Sequence, residues 1–137
     1  MALLGTWAAV AAIAWAAPAA ALAQTVHVIR LEADADRDIH RFVPARVTVR
    51  PGDVVRFRVA SGAPHSIRFE GQGLSPQVRA ALNAAMPGRT ADLSGPVLER
   101  DAMEYSITVP RLPPGRYVFV SLPHRAYDMR GQLIVEK

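Results

Sequence analysis

The sequence contains no cysteine. That absence excludes disulfide staples, thiolate metal sites, iron–sulfur clusters and cysteine nucleophiles together. Lysine is almost absent as well: Lys137 stands alone, and arginine carries nearly all the positive charge behind the net +4. Nucleic-acid binding needs basic residues gathered into a patch. Here Arg46, Arg50, Arg56, Arg58 and Arg68 stand singly along the chain, as on a solvated sheet face, so no nucleic-acid partner is expected. A positive surface of this kind can steer the approach of an acidic partner. No apolar run is long enough to span a membrane comfortably. Tryptophan is confined to Trp7 and Trp15.

The chain's apolar weight is concentrated at its start. Ala2 to Ala17 are almost wholly apolar, Pro18 interrupts them, and Ala21-Leu22-Ala23 precedes Gln24. A short apolar run followed by an A-x-A tripeptide is the pattern of an export signal, with cleavage after Ala23. The reading is a signal peptide over 1–23 and one mature domain over 24–137, periplasmic or secreted and monomeric. No Lys or Arg precedes the run, and the alternative is a retained membrane anchor. The mature part is long enough for one modest core without disulfides.

Along the mature part, apolar residues alternate with polar ones in short runs. Thr25 to Leu31, Arg46 to Arg50, Val54 to Ala60, Tyr105 to Val109, Arg116 to Val120 and Gln132 to Glu136 read as strands. Pro51-Gly52-Asp53, Ser61-Gly62-Ala63-Pro64 and Leu112-Pro113-Pro114-Gly115 read as turns. Asp34, Asp36 and Asp38 read as a solvated acidic loop, since the glycine and closing glutamate of a calcium loop are missing. One stretch changes period. Ser75-Pro76 is a helix start, Val78, Ala81, Leu82 and Ala85 recur at helical spacing, and Pro87-Gly88 ends the pattern. Many short strands and one short helix predict an all-β Greek-key sandwich.

Chemistry concentrates in four residues. His65 follows a turn in the first half, and Ser121, His124 and Met129 lie in the loop before the closing strand. Together with Phe42-Val43-Pro44, the turn Val49-Arg50-Pro51-Gly52-Asp53-Val54-Val55, Pro64-His65-Ser66-Ile67, Leu112-Pro113-Pro114-Gly115-Arg116-Tyr117 and Met129-Arg130-Gly131-Gln132-Leu133-Ile134-Val135, the pattern resembles the cupredoxins, the plastocyanin- and azurin-like blue copper proteins. In that family the last loop reads Cys-x-x-His-x-x-x-x-Met. Here Ser121-Leu122-Pro123-His124-Arg125-Ala126-Tyr127-Asp128-Met129 keeps the spacing and replaces the cysteine. The resemblance implies a copper site with His65 and His124 as imidazole ligands, Met129 as the weak axial thioether and Ser121 in the thiolate place. It also implies electron transfer in an exported compartment and a redox or copper-transfer protein as partner.

The serine changes what such a site can do. A blue centre draws its colour and strongest bond from the thiolate. A hydroxyl oxygen is hard and stays protonated, so no normal blue site is expected. Two imidazoles and a thioether suit Cu(I), or non-blue Cu(II) completed by water. The alternative is a metal-free cupredoxin-fold binding or structural module. The family commonly has asparagine after the first histidine, and Ser66 is expected to tie the two ligand loops less well. Tyr127 and Asp128 are further potential donors, while His27 and His40 are assigned to the surface. An enzyme is not expected: Ser121 with His124 lacks the flanking glycines of a nucleophile elbow.

Overall fold

The computed structural model describes residues 16–18 and 22–137, so most of the expected signal segment lies outside the described residues. The period-2 alternation read above becomes eight strands: β1 (Val26–Asp34), β2 (Ile39–Val43), β3 (Arg46–Val49), β4 (Val54–Val59), β5 (Arg68–Phe69), β6 (Glu104–Thr108), β7 (Gly115–Val120) and β8 (Arg130–Val135). They form two four-stranded sheets in the orders β2-β1-β4-β6 and β3-β8-β7-β5. The β1–β4 and β3–β8 pairs are parallel and the remaining ladders antiparallel. This is the expected β-sandwich. In β4, Val55, Phe57 and Val59 are buried while Arg58 is exposed, so the arginines do decorate the solvent side of a sheet.

One helix, α1 (Pro76–Ala85), interrupts the strands. Ser75 caps it through a bond from the Val78 amide, and proline sits in the first turn, where its missing N–H costs nothing. Leu82 is buried against the sandwich. One difference from the sequence reading bears on function. The acidic stretch ends at Asp38, and the next five residues form β2, which pairs with β1. His40 is therefore a strand residue and not part of the acidic loop.

The core is organised by the chain's four phenylalanines. Phe119 meets Phe42, Phe57 and Phe69 edge-on, at centroid distances of 4.8, 5.2 and 6.0 Å. Edge-to-face geometry is the favoured aromatic arrangement. Phe42 and Phe57 come from one sheet, Phe69 and Phe119 from the other, so the cluster stitches the layers together. Gly131 pairs with Phe119 across the β7–β8 ladder. A Cβ there would stand 2.6 Å from the Phe119 ring, so only glycine admits it.

The opposite end is held by a polar knot. The Asp53 carboxylate accepts bonds from the amides of Arg50 (3.0 Å) and Thr25 (3.3 Å) and from His27 Nε2 (2.9 Å). His27 is thus a half-buried structural partner, which corrects its assignment to the surface. Burial works to raise the Asp53 pKa. The bonds from His27, Arg50 and Thr25 outweigh it and hold the carboxyl below its ordinary value. A depressed carboxyl pKa adds stability above the unfolded-chain value of about 3.9 that is lost as pH falls through the folded value. Asp53→Asn is expected to lower stability at neutral pH by about 1–3 kcal/mol. It should also flatten the acid limb of a Tm-against-pH curve; an unchanged limb would show that the knot carries no such linkage.

Candidate functional site

Strand ends and loops of both sheets meet at the other pole. β7 ends at Val120 and β8 begins at Arg130. The Ser121 amide donates to the Met129 carbonyl at 3.2 Å, which closes the loop between them at its base. Within the loop, Leu122–Tyr127 forms a 3₁₀ turn. The His124 amide donates to the Ser121 carbonyl at 3.0 Å, and the Asp128 amide donates to the Arg125 carbonyl at 3.1 Å. Asp128 takes the left-handed conformation, φ 56°, which aspartate tolerates better than most residues.

His65 is fully buried. Its backbone exchanges two hydrogen bonds with Leu98, at 3.0 and 2.7 Å, so the residue cannot swing freely. The ring Nε2 stands 2.8 Å from the Ser61 carbonyl. A carbonyl only accepts, so Nε2 carries the proton and, in the neutral ring, Nδ1 presents its lone pair. Burial pushes the His65 pKa below its ordinary value; the Ser61 bond works against this, and the neighbouring His124 reinforces it. The site therefore favours the neutral form, the one that binds metals.

The His65 Nδ1 faces Ser121. The Ser121 hydroxyl lies 3.3 Å from Nδ1 and accepts the Ser66 amide at 3.3 Å. It thus donates to the imidazole and accepts from the backbone, and no exposed surface remains on it. Ser66 returns the contact, its Oγ accepting the Leu122 amide at 3.3 Å. The two loops are tied in both directions, so Ser66 makes the connection that sequence reasoning expected to be weaker.

His124 is half-buried on the 3₁₀ turn. Its Nε2 donates to the Pro64 carbonyl at 3.1 Å, leaving Nδ1 as the acceptor nitrogen of the neutral ring. The His65 and His124 centroids are 4.7 Å apart. Two imidazoles sharing one ion, with bonds of about 2.0–2.1 Å each, have centroids about 5 Å apart, so the pair has the spacing a shared ion needs. Met129 is fully buried at the base of the loop, in the apolar core. The structure thus brings His65, Ser121 and His124 into one cluster and buries Met129 at the base of the same loop. Asp128 instead turns to Arg130 at the surface.

Sequence reasoning missed His40. Its side chain is only 7 % exposed. Its ring stacks on Tyr127 at 3.9 Å and 7°, and lies 5.3 Å from the His124 centroid. The local signal was faint: Ile39, Phe42 and Val43 are apolar but do not alternate, and they follow three aspartates. Among the described residues no three His, Asp or Glu side chains already gather into a metal-holding group. A surface cleft at the opposite pole, around Thr25, His27, Asp53 and Arg111, includes none of these residues.

Residues 29–136 match the family of copper binding proteins described as plastocyanin/azurin. Among solved structures, oxidised plastocyanin from the fern Dryopteris crassirhizoma is similar at 25% identity and a TM-score of 0.61, covering 80% of this chain and 99% of that one. An oxidised amicyanin variant is similar in fold at 22% identity and a TM-score of 0.56, covering 84% and 86%. A pseudoazurin from Sinorhizobium is similar in fold at 22% identity and a TM-score of 0.53, covering 83% and 76%.

The Ser66 tie is open to direct test. Ser66→Ala leaves the Leu122 amide without its acceptor, a loss of about 1–3 kcal/mol. Amide hydrogen exchange at Leu122 should quicken by a factor of ten or more, since about 1.4 kcal/mol is tenfold. Exchange unchanged from the parent would mean that the hydroxyl does not hold the loop.

Proposed function

The chain belongs to the plastocyanin/azurin family of copper-binding proteins, and from that premise we propose that it is an exported cupredoxin with a non-blue copper site formed by His65, His124 and Met129, Ser121 standing in the thiolate place. The observation that carries this is the imidazole pair. Carbonyl groups of Ser61 and Pro64 hold both Nε2 protons, leaving Nδ1 as the acceptor nitrogen of each ring, that of His65 shared with the Ser121 hydroxyl, with the rings 4.7 Å apart. Hydrogen bonds from outer groups that fix the tautomer are the usual support of a histidine ligand. Burial keeps His65 neutral and ready to bind.

Copper, when bound, supplies one-electron chemistry; two imidazoles suit both its oxidation states and a thioether suits Cu(I). The residues do the rest. Ser61 and Pro64 orient the rings, the Ser121 and Ser66 hydroxyls lock the two loops together, and the core around Met129 excludes water from below. Without a thiolate the strong electronic path to copper is missing, so the role best supported is carriage of copper, or slow electron exchange, with a protein partner on the exported side of a membrane.

A second reading has its own support. The Ser121 hydroxyl already pairs with His65 Nδ1 and the Ser66 amide, so the polar pocket is satisfied without an ion, as a metal-free binding module would require. A serine hydrolase finds no support. The serine's bonded imidazole is His65, not His124; Ser121 and His65 are fully buried, and the second ring nitrogen of His65 meets a carbonyl where a triad needs an orienting carboxylate.

The purified chain is expected to retain copper through dialysis, and His65→Ala or His124→Ala to release it. Retention by neither parent nor variants, in a folded protein, would leave the metal-free reading. Ser121→Cys restores a soft thiolate donor and is expected to produce an intense visible band on addition of Cu(II). A colourless variant that still folds would mean that the Ser121 side chain does not face the ion.

A further inference from the structure

The replacement of the thiolate leaves a copper ion at His65 and His124 one strong donor short. The fold holds a third imidazole beside them. His40 sits on β2, in the opposite sheet from β7 and β8, with its side chain almost fully enclosed. Its centroid is 5.3 Å from that of His124, and the His65 centroid is 4.7 Å from His124 on its own account. Both values bracket the separation of about 5 Å for rings that share an ion. Imidazole is a far better copper donor than a protonated hydroxyl.

We propose that His40 is a copper ligand, so that the family's two histidines and thiolate become, in this chain, three histidines. The inference rests on the reading that His65 and His124 bind copper. The three rings do not yet converge, so His40 turns out of its stack on Tyr127 as the ion enters. Tyr127 is 58 % exposed and stands on an outer turn, so leaving it costs one aromatic contact and no buried hydrogen bond. Three neutral imidazoles serve both oxidation states of copper, and nothing is oxidised, reduced or deprotonated on binding. The nearest charged group is Asp38, whose carboxylate lies 3.8 Å from His40 Nδ1. At that distance it makes no hydrogen bond, so neither ring nitrogen of His40 is tied up by it.

The test counts nitrogens. The purified full chain is loaded with Cu(II), and pulsed EPR measures the coordinated imidazoles, with affinity taken by competition against a chelator. Three imidazoles in the parent and two in His40→Phe support the proposal, as does an affinity at least tenfold lower in the variant. Phenylalanine preserves the aromatic stack on Tyr127, so a purely packing role for His40 predicts no change. His40→Gln serves as the second variant, and folding of each is checked by circular dichroism. Two imidazoles in the parent, or unchanged affinity in both His40 variants, overturn the proposal while leaving the His65–His124 reading intact. If His65→Ala and His124→Ala also bind copper as the parent does, the ion lies elsewhere and both readings fall.

Discussion

The contact between the Phe119 ring and the Cα of Gly131 is the constraint on which the rest of the molecule depends. A side chain on residue 131 would collide with the ring at 2.6 Å; its absence leaves room for Phe119 to pack in T-shaped contacts with Phe42, Phe57 and Phe69. A buried phenylalanine contributes about 3–5 kcal/mol, and this one touches residues of both sheets. Ser121 lies two residues beyond Phe119 and Met129 two residues before Gly131. The ring that joins the layers, seated on Gly131, therefore fixes both ends of the loop that carries the candidate site.

From those fixed ends the polar chemistry follows. The loop is closed at its base by the Ser121–Met129 bond and joined to the His65 segment by two serine hydroxyls. A hydroxyl can donate and accept at once, which a thiolate cannot. At Ser121 this chain has a neutral bridge between an imidazole and a backbone amide. The arrangement stays satisfied in the low-dielectric interior, where an unpaired polar group would be costly. The two imidazoles are thereby held 4.7 Å apart with no charged group between them.

Much of this was legible in the residues. The turn at Pro51-Gly52-Asp53, the helix from Ser75-Pro76 and most strands follow from local chemistry, and the spacing of Ser121, His124 and Met129 singled out the loop. What escaped was non-local. β2 is short and becomes a strand by pairing with β1 across the aspartate turn, so His40 read as part of a solvated loop. The partner of Ser121 depends on how two distant loops face each other, and it is His65. His27 owes its burial to Asp53, 26 residues away. None of these pairings leaves a periodic trace, because each joins single residues across the fold.

The stack of Tyr127 on His40 has an optical consequence. Trp7 and Trp15 both precede the expected cleavage position, so the mature domain would emit through its three tyrosines alone. Tyr105 and Tyr117 are buried, with their hydroxyls bonded to the Pro87 and Pro113 carbonyls, and burial pushes the Tyr105 phenol up to about 12. Tyr127 alone stands open to solvent, face to face with an imidazole at the rim of the site. The chain thus carries a native fluorophore beside the proposed copper site, so that an ion bound there would be readable through its quenching without a label.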